Sequence, residues 1–227
     1  MLFDFIDSYL FPSVCHVCGR QLVAGEDRVC LHCLDALPRT DFLNRSDNPL
    51  LQRYSRQPNI VSATALLHYG IDTRLLVHDL KYHNFPQLGN TLGTLMADEG
   101  LQHGIFSGVD LLVPVPLHWL RRLSRGYNQS LKLCEGISQM TGTEISTENL
   151  VRTRNNRSQT ALSHTDRQKN KQGLFRLKHH EMWNGKHIMI IDDVFTTGAT
   201  IEACIHAISQ QTSDTKISIY TLAYAGV

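Results

Sequence analysis

Apolar residues fall along this chain in two patterns. The first is the unbroken apolar run. Lys186–Ile191 and Val109–Val115 are apolar without alternation, as strands buried on both faces are. Ile60–Tyr69 is β-prone and mostly apolar, and Ile217–Ala223 reads as a closing strand. The second pattern is helical. Leu75, Leu76, Leu80 and Tyr82 recur at helical spacing over Thr73–Tyr82, and Leu88–Met96 continues in the same manner after Pro86. Ser130–Met140 reads as a crossover helix. Glu148–Arg152 is a weak third strand, and Leu174, Phe175 and Leu177 lead back toward the strand at 186–191. Strands alternating with helices predict an α/β fold with a mainly parallel sheet and flanking helices.

Two stretches break the pattern. From Asp41 to Ile60, Asn, Asp, Ser, Arg, Gln and Pro dominate, which predicts a polar connection. It would separate an N-terminal module over residues 1–45 from a main domain over 60–227. Thr153–Lys171 is basic and lacks apolar periodicity, the mark of a lid, a binding loop or a disordered segment. At the start of the chain, Phe3, Ile6 and Leu10 oppose Asp4 and Asp7, as in a short amphipathic helix. The acids and the lack of an early Lys or Arg argue against a secretory signal. No apolar run reaches the ~18–20 residues that cross a bilayer. The expectation is a cytoplasmic protein.

The most informative chemistry follows the run at 186–191. Asp192 and Asp193 close the strand, Thr196, Thr197, Gly198, Ala199 and Thr200 form a small hydroxyl-rich turn, and a helix starts near Thr200 and Ile201. Unpaired N–H groups at a helix start hold a phosphate. Gly198 lets the backbone approach an anion, and the threonines add donors. The carboxylates suit ribose hydroxyls or a Mg²⁺ ion carried by the ligand. Ile188–Thr200 resembles the PRPP-binding motif of type I phosphoribosyltransferases. The bland alternative is the strand–turn–helix of some other α/β protein. The turn has neither the Walker lysine nor the dinucleotide glycine pattern.

Cys15-x-x-Cys18-Gly19 and Cys30-x-x-Cys33 are two pairs that each present sulfurs from a turn. Four thiolates favour a closed tetrahedral Zn²⁺ site, which leaves no open position for catalysis and is therefore structural. Gly19 stands where such a turn needs positive φ. The rival is a pair of disulfides, which a reducing compartment disfavours. His16 and His32 lie inside the pairs as substitute ligands or bystanders. Cys134 and Cys204 read as buried thiols.

Net charge is only +1, yet residues 121–180 hold twelve Lys or Arg against four acids, an excess of +8. Such an excess concentrates polyanions, either pyrophosphate or a nucleic-acid backbone, unless it is only a solvated surface. The cationic segment 116–129 follows a central strand at its C-terminal end, where open parallel sheets bind ligands.

Taken together, the chain resembles the ComF family along nearly its whole length. The resemblance rests on Phe11-Pro12 before the first cysteine pair, and on Tyr69-Gly70, Arg74, Leu80-Lys81-Tyr82 and Leu88-Gly89. It rests further on Pro114–His118 with Arg121, Arg125-Gly126 and Asn128–Ser130, and on Thr153, Gln159, Leu162, Arg167 and Asn170. Asn84 and Tyr127 depart from the pattern, where Gly and Phe are usual. The resemblance implies a type I phosphoribosyltransferase-like domain behind a zinc module. It also implies a role in DNA uptake, during competence or in using DNA as nutrient, and so a link to DNA-uptake machinery. Three readings stay open. In a PRPP-dependent enzyme, Arg121 and Arg125 would meet pyrophosphate, and Arg154, Arg157 and Arg167 would close from the basic loop. In a single-stranded DNA-binding module, the same cations would grip phosphates. In a regulator, PRPP would be sensed without turnover. Acceptor selectivity would lie in a variable hood between Ile60 and Gly100, which carries no base-specific signature.

Overall fold

The computed structural model describes residues 13–83, 85–153 and 173–226, without the side chains of Trp119, Arg121 and Arg122. The N-terminal helix expected over 1–10, Asn84, and the 154–171 portion of the basic loop, with Arg154, Arg157 and Arg167, lie outside the described residues.

Five strands form the main sheet: β1 (Ile60–His68), β2 (Leu111–Pro114), β3 (Glu144–Ile145), β6 (His187–Phe195) and β7 (Lys216–Tyr224). They lie in the order β1-β7-β6-β2-β3, and every pairing is parallel. The apolar runs at 109–115 and 186–191 are thus neighbours at the centre, with Leu111 to Pro114 beside Ile188 to Ile191. Burial on both faces explains the absence of alternation. Met189 and Ile191 enter one core with Tyr220 and Leu222, whereas Ile188 and Ile190 enter the other with Ile217 and Ile219.

The weak third strand is present, but outside the main sheet. Leu150–Arg152 (β4) leaves the main sheet and pairs antiparallel with Phe175–Leu177 (β5) as a separate ribbon. Leu150, Phe175 and Leu177 turn inward, which covers one core rather than extending the sheet. The edge of the main sheet beside β2 is β3, with two residues.

Seven α-helices are described: α1 (Leu31–Asp35), α2 (Pro49–Gln52), α3 (Ile71–Tyr82), α4 (Pro86–Gln102), α5 (Trp119–Arg125), α6 (Gln129–Thr141) and α7 (Ala199–Ser209). Pro86 opens α4 at its first turn, where a missing N–H costs nothing. Asn128 caps α6 by accepting from the Ser130 N–H, and its own amide donates to Val115 O (3.0 Å), tying the helix start to the end of β2. Gly93 of α4 and Gly136 of α6 allow the two helices to touch. A Cβ on either would stand 2.2 Å from a carbonyl oxygen of the other helix, Leu133 O or Asn90 O.

The polar stretch 41–59 is more ordered than its composition suggests. It holds a 3-10 turn at Phe42–Asn44 and the Asn48-capped helix α2, and it buries Phe42, Leu50 and Tyr54. The cysteine segment likewise joins a main core, since Cys15, Val29, Cys30 and Leu37 cluster with Leu66, Leu67 and Leu76. No described helix is long and apolar enough to cross a membrane.

Candidate functional site

Asp192 and Asp193 lie near the C-terminal end of β6, the strand beside β2 and β7, which ends at Phe195, and the chain then turns through Thr196–Gly198 into α7. Gly198 is the residue before the helix, at φ +75°. The sequence suggested that glycine serves close approach to an anion. The structure adds two local reasons. The left-handed conformation favours glycine, and a Cβ there would lie 2.7 Å from the Phe195 ring and 3.2 Å from the Arg53 guanidinium. Because Gly198 has no side chain, the first N–H groups of α7 keep most of their donor capacity. Ala199 N–H has a long 3.5 Å contact to Thr197 Oγ1. Thr196 and Thr197 are exposed, and a shallow pocket follows the turn from Asp192 to Ile201.

The two carboxylates differ in surroundings. Asp193 pairs with Lys81, Nζ to Oδ2 at 2.8 Å, and both side chains are largely buried. Asp192 Oδ1 accepts from Ser130 Oγ (3.0 Å) and from the Asp193 N–H (2.9 Å). Burial, and then the charge of Asp193, push the Asp192 carboxyl up to about 7, against the opposing pull of these hydrogen bonds and of Lys81. The site therefore holds one carboxylate tied to a lysine and one that titrates near neutrality.

Lys81 and Ser130 enter this site from α3 and α6. In the sequence they stood out only as part of the family resemblance. Arg53 carried no signal at all, since it lies in the stretch read as a connection. Its guanidinium donates to Thr197 O (2.6 Å) and to Glu202 Oε1 (2.6 Å) and lies over the Phe195 ring. It thereby places a cation at the turn. Arg125 does not join the turn here. It donates to Gln129 Oε1 (3.0 Å) and rests over Tyr82. Lys132, also within the basic span, pairs with Glu135 at 2.7 Å.

The second constellation is the cysteine cluster. All four sulfurs of Cys15, Cys18, Cys30 and Cys33 lie within 4.8 Å of one another, and the six cysteines of the chain are free. Cys18 and Cys30 Sγ are 3.8 Å apart. A tetrahedron with metal–sulfur bonds near 2.3 Å has edges of about 3.8 Å. The spacing fits a four-thiolate metal site and not the bonded pairs of the disulfide alternative. Gly19 has φ +73°, as the turn required. The Cys33 N–H and neighbouring donors bring the Cys30 thiol down to about 6, whereas burial pushes the Cys33 thiol up.

This cluster also props the helix that carries Lys81. His16 Nδ1 lies 2.7 Å from Asp79 Oδ2, and Arg28 lies over the Phe85 ring, 4.2 Å from its centre. Tyr127 donates to Leu80 O (2.6 Å) from the other side. The end of α3 is thus held between the cysteine turns and the start of α6.

No protein-family model matches the chain. The DNA utilization protein YhgH of Escherichia coli O157:H7 is 30% identical over 202 residues, which cover 84% of this chain and 88% of that protein. Competence protein F of Haemophilus influenzae is 25% identical over 218 residues, covering 94% and 91%. Among solved structures, the glutamine phosphoribosylpyrophosphate amidotransferase of Bacillus subtilis, complexed with ADP and GMP, is similar at a TM-score of 0.44. It is 15% identical and covers 63% of this chain and 30% of that one.

Proposed function

We propose, from the premise that this chain belongs to the ComF family of DNA-utilisation and competence proteins, that its β6–α7 turn binds PRPP or a closely similar phosphoribosyl ligand. The observation that carries the reading is the junction itself. Two adjacent, mostly buried carboxylates stand near the C-terminal end of a central strand, just ahead of the turn into a helix whose N-cap, Gly198, makes no side-chain cap. Nothing in the packing of a generic strand–turn–helix calls for an Asp pair in which burial, and then the neighbouring charge, raise one carboxyl to about 7.

Each residue then has a role. Thr196, Thr197, Gly198, Ala199 and Thr200 receive the 5′-phosphate through backbone N–H groups and hydroxyls. Asp192 and Asp193 receive the ribose hydroxyls. Lys81 pairs with Asp193 until a ligand competes for that carboxylate. Ser130 orients Asp192. Mg²⁺ bound with PRPP would offset the pyrophosphate charge. Among the candidate pyrophosphate cations, Arg125 must leave Tyr82 to reach a ligand. If the protein turns over, it is a glycosyltransferase that works by positioning and by stabilising departing pyrophosphate. Zn²⁺ on Cys15, Cys18, Cys30 and Cys33 is structural, in keeping with thiols kept reduced in the cytoplasm.

Calorimetry with PRPP and Mg²⁺ tests the reading. Asp193→Asn should weaken binding about 10–100-fold, the worth of a charge-assisted hydrogen bond. Equal affinity in parent and variant would sink it.

The +8 excess over residues 121–180, with the DNA-related names of the relatives, favours a second activity. This is weak, sequence-independent binding of single-stranded DNA by that span. Log affinity should fall with log salt at roughly −0.7 per phosphate contacted. Charge reversal at Arg154 and Arg157 should flatten the slope. An unchanged slope would leave the DNA link to a partner in the uptake machinery.

A further inference from the structure

A second cluster of metal-type ligands lies outside both sites. His78, Asp79 and His83 bring one ligand atom each within 4.8 Å of the others. They sit at the last turn of α3 and its C-cap. Residues 79 and 83 are one helical turn apart and share a face, and the His78 ring reaches toward them from the adjacent position at the helix end. Asp79 is 2% exposed, whereas the two imidazoles are about half exposed, at 54% and 51%.

The carboxylate is divided between two tasks. Oδ2 is fixed by His16 Nδ1 at 2.7 Å. Oδ1 faces outward, 2.7 Å from His83 Nδ1 and 4.0 Å from His78 Nδ1. A ligating carboxylate whose other oxygen is held by a hydrogen bond is the usual arrangement around a bound transition metal. Bonds of about 2.0–2.2 Å to nitrogen and oxygen would place ligand atoms closer together than 4.8 Å. Such bonds set tetrahedral ligand atoms about 3.3–3.6 Å apart, so rotation of the two half-exposed imidazoles must draw His78 in from 4.0 Å and let His83 out from 2.7 Å, without moving the buried carboxylate. The His78 and His83 rings are already adjacent, with centroids 5.2 Å apart.

We propose that His78, Asp79 and His83 form an exchangeable site for a divalent first-row transition ion, Zn²⁺ being the best match to two imidazoles and one carboxylate. Mixed nitrogen and oxygen ligands disfavour Mg²⁺ and Ca²⁺. Unlike the four-cysteine site, this one has three protein ligands. A tetrahedral ion would keep one position open to solvent or to an external ligand. The proposal is independent of the phosphoribosyl reading, since it uses none of the residues of the β6–α7 turn.

Co²⁺ distinguishes the two metal sites by colour. The full chain, with zinc on its cysteines, is titrated with Co²⁺. The expected spectrum has ligand-field bands of nitrogen and oxygen coordination, without thiolate-to-cobalt charge transfer, and saturates at one Co²⁺ per chain. His78→Ala/His83→Ala removes two half-exposed rings and should abolish these bands while the cysteine-bound zinc stays. Asp79→Asn should weaken Co²⁺ at least tenfold, and the double histidine variant decides the matter if Asp79→Asn does not fold. No such bands in the parent up to about 1 mM Co²⁺, or equal Co²⁺ affinity in the histidine variant, would overturn the site.

Discussion

Asp192→Asn should stabilise the ligand-free protein, and more so as pH rises. Asp192 binds its proton up to about 7 in the folded chain, against an ordinary 3.8. Burial and the neighbouring Asp193 charge both penalise its ionised form. The folded state therefore holds more protons than the unfolded state between these values, and the parent loses stability as pH climbs through the window. The full interval corresponds to roughly 4 kcal/mol, of which the part from pH 5 to pH 8 is at most about 3 kcal/mol. Partial access to solvent and local relaxation reduce the expectation to about 1–2 kcal/mol. Asparagine keeps the oxygen that accepts from Ser130 and from the Asp193 N–H but carries no charge. The advantage of the variant over the parent should therefore grow by about 1–2 kcal/mol between pH 5 and pH 8, then level off. For a chain of this size that is about 2–8 °C in melting temperature. Urea melts of both proteins at the two pH values, without Mg²⁺ or PRPP, provide the assay. A difference that stays constant with pH, or shrinks as pH rises, would refute the electrostatic reasoning.

Other perturbations test separate parts of the structure. Cys15→Ser should lose the bound metal and expose the N-terminal cysteine turns to proteolysis, because binding and local folding are coupled; metal analysis and limited proteolysis check it, and full metal content would reject the assignment. Gly198→Val should abolish PRPP binding and lower stability by about 1–3 kcal/mol, since it combines φ +75° with a clash on Phe195; calorimetry and denaturant melts report the two effects. Gly136→Ala should cost about 1–3 kcal/mol by pushing α4 from α6, with PRPP affinity changed far less than by Asp193→Asn; wild-type stability would show that the helices part without strain.

The chain announced its sheet more clearly than its edges. Runs such as Ile188–Ile191 are legible because burial on both faces leaves no room for polar residues. β3 was not legible, since two residues with an exposed Glu144 carry no pattern. β4 was legible as a strand but not as part of a separate ribbon, because pairing partners depend on where Phe175 and Leu177 are buried. The helix at 119–125 hid among its arginines. At the candidate site, the order of carboxylates, hydroxyls and glycine along one segment was readable, because strand, turn and helix are contiguous. The side chains that complete it are not contiguous. Lys81, Ser130 and Arg53 arrive from three different helices or their ends, and only the folded chain brings them to Asp193, Asp192 and Thr197. Arg53 shows the limit most plainly, as a cation in a polar stretch whose neighbours Leu50 and Tyr54 are buried and carry it to the turn.

The most direct test of the central claim is a crystal structure of the protein with PRPP and Mg²⁺. The expected structure has the 5′-phosphate on the backbone N–H groups of 196–200 and the ribose hydroxyls on Asp192 and Asp193, with Lys81 displaced from Asp193. A well-ordered PRPP bound elsewhere, with the Lys81–Asp193 pair intact and the turn free of phosphate, would contradict it.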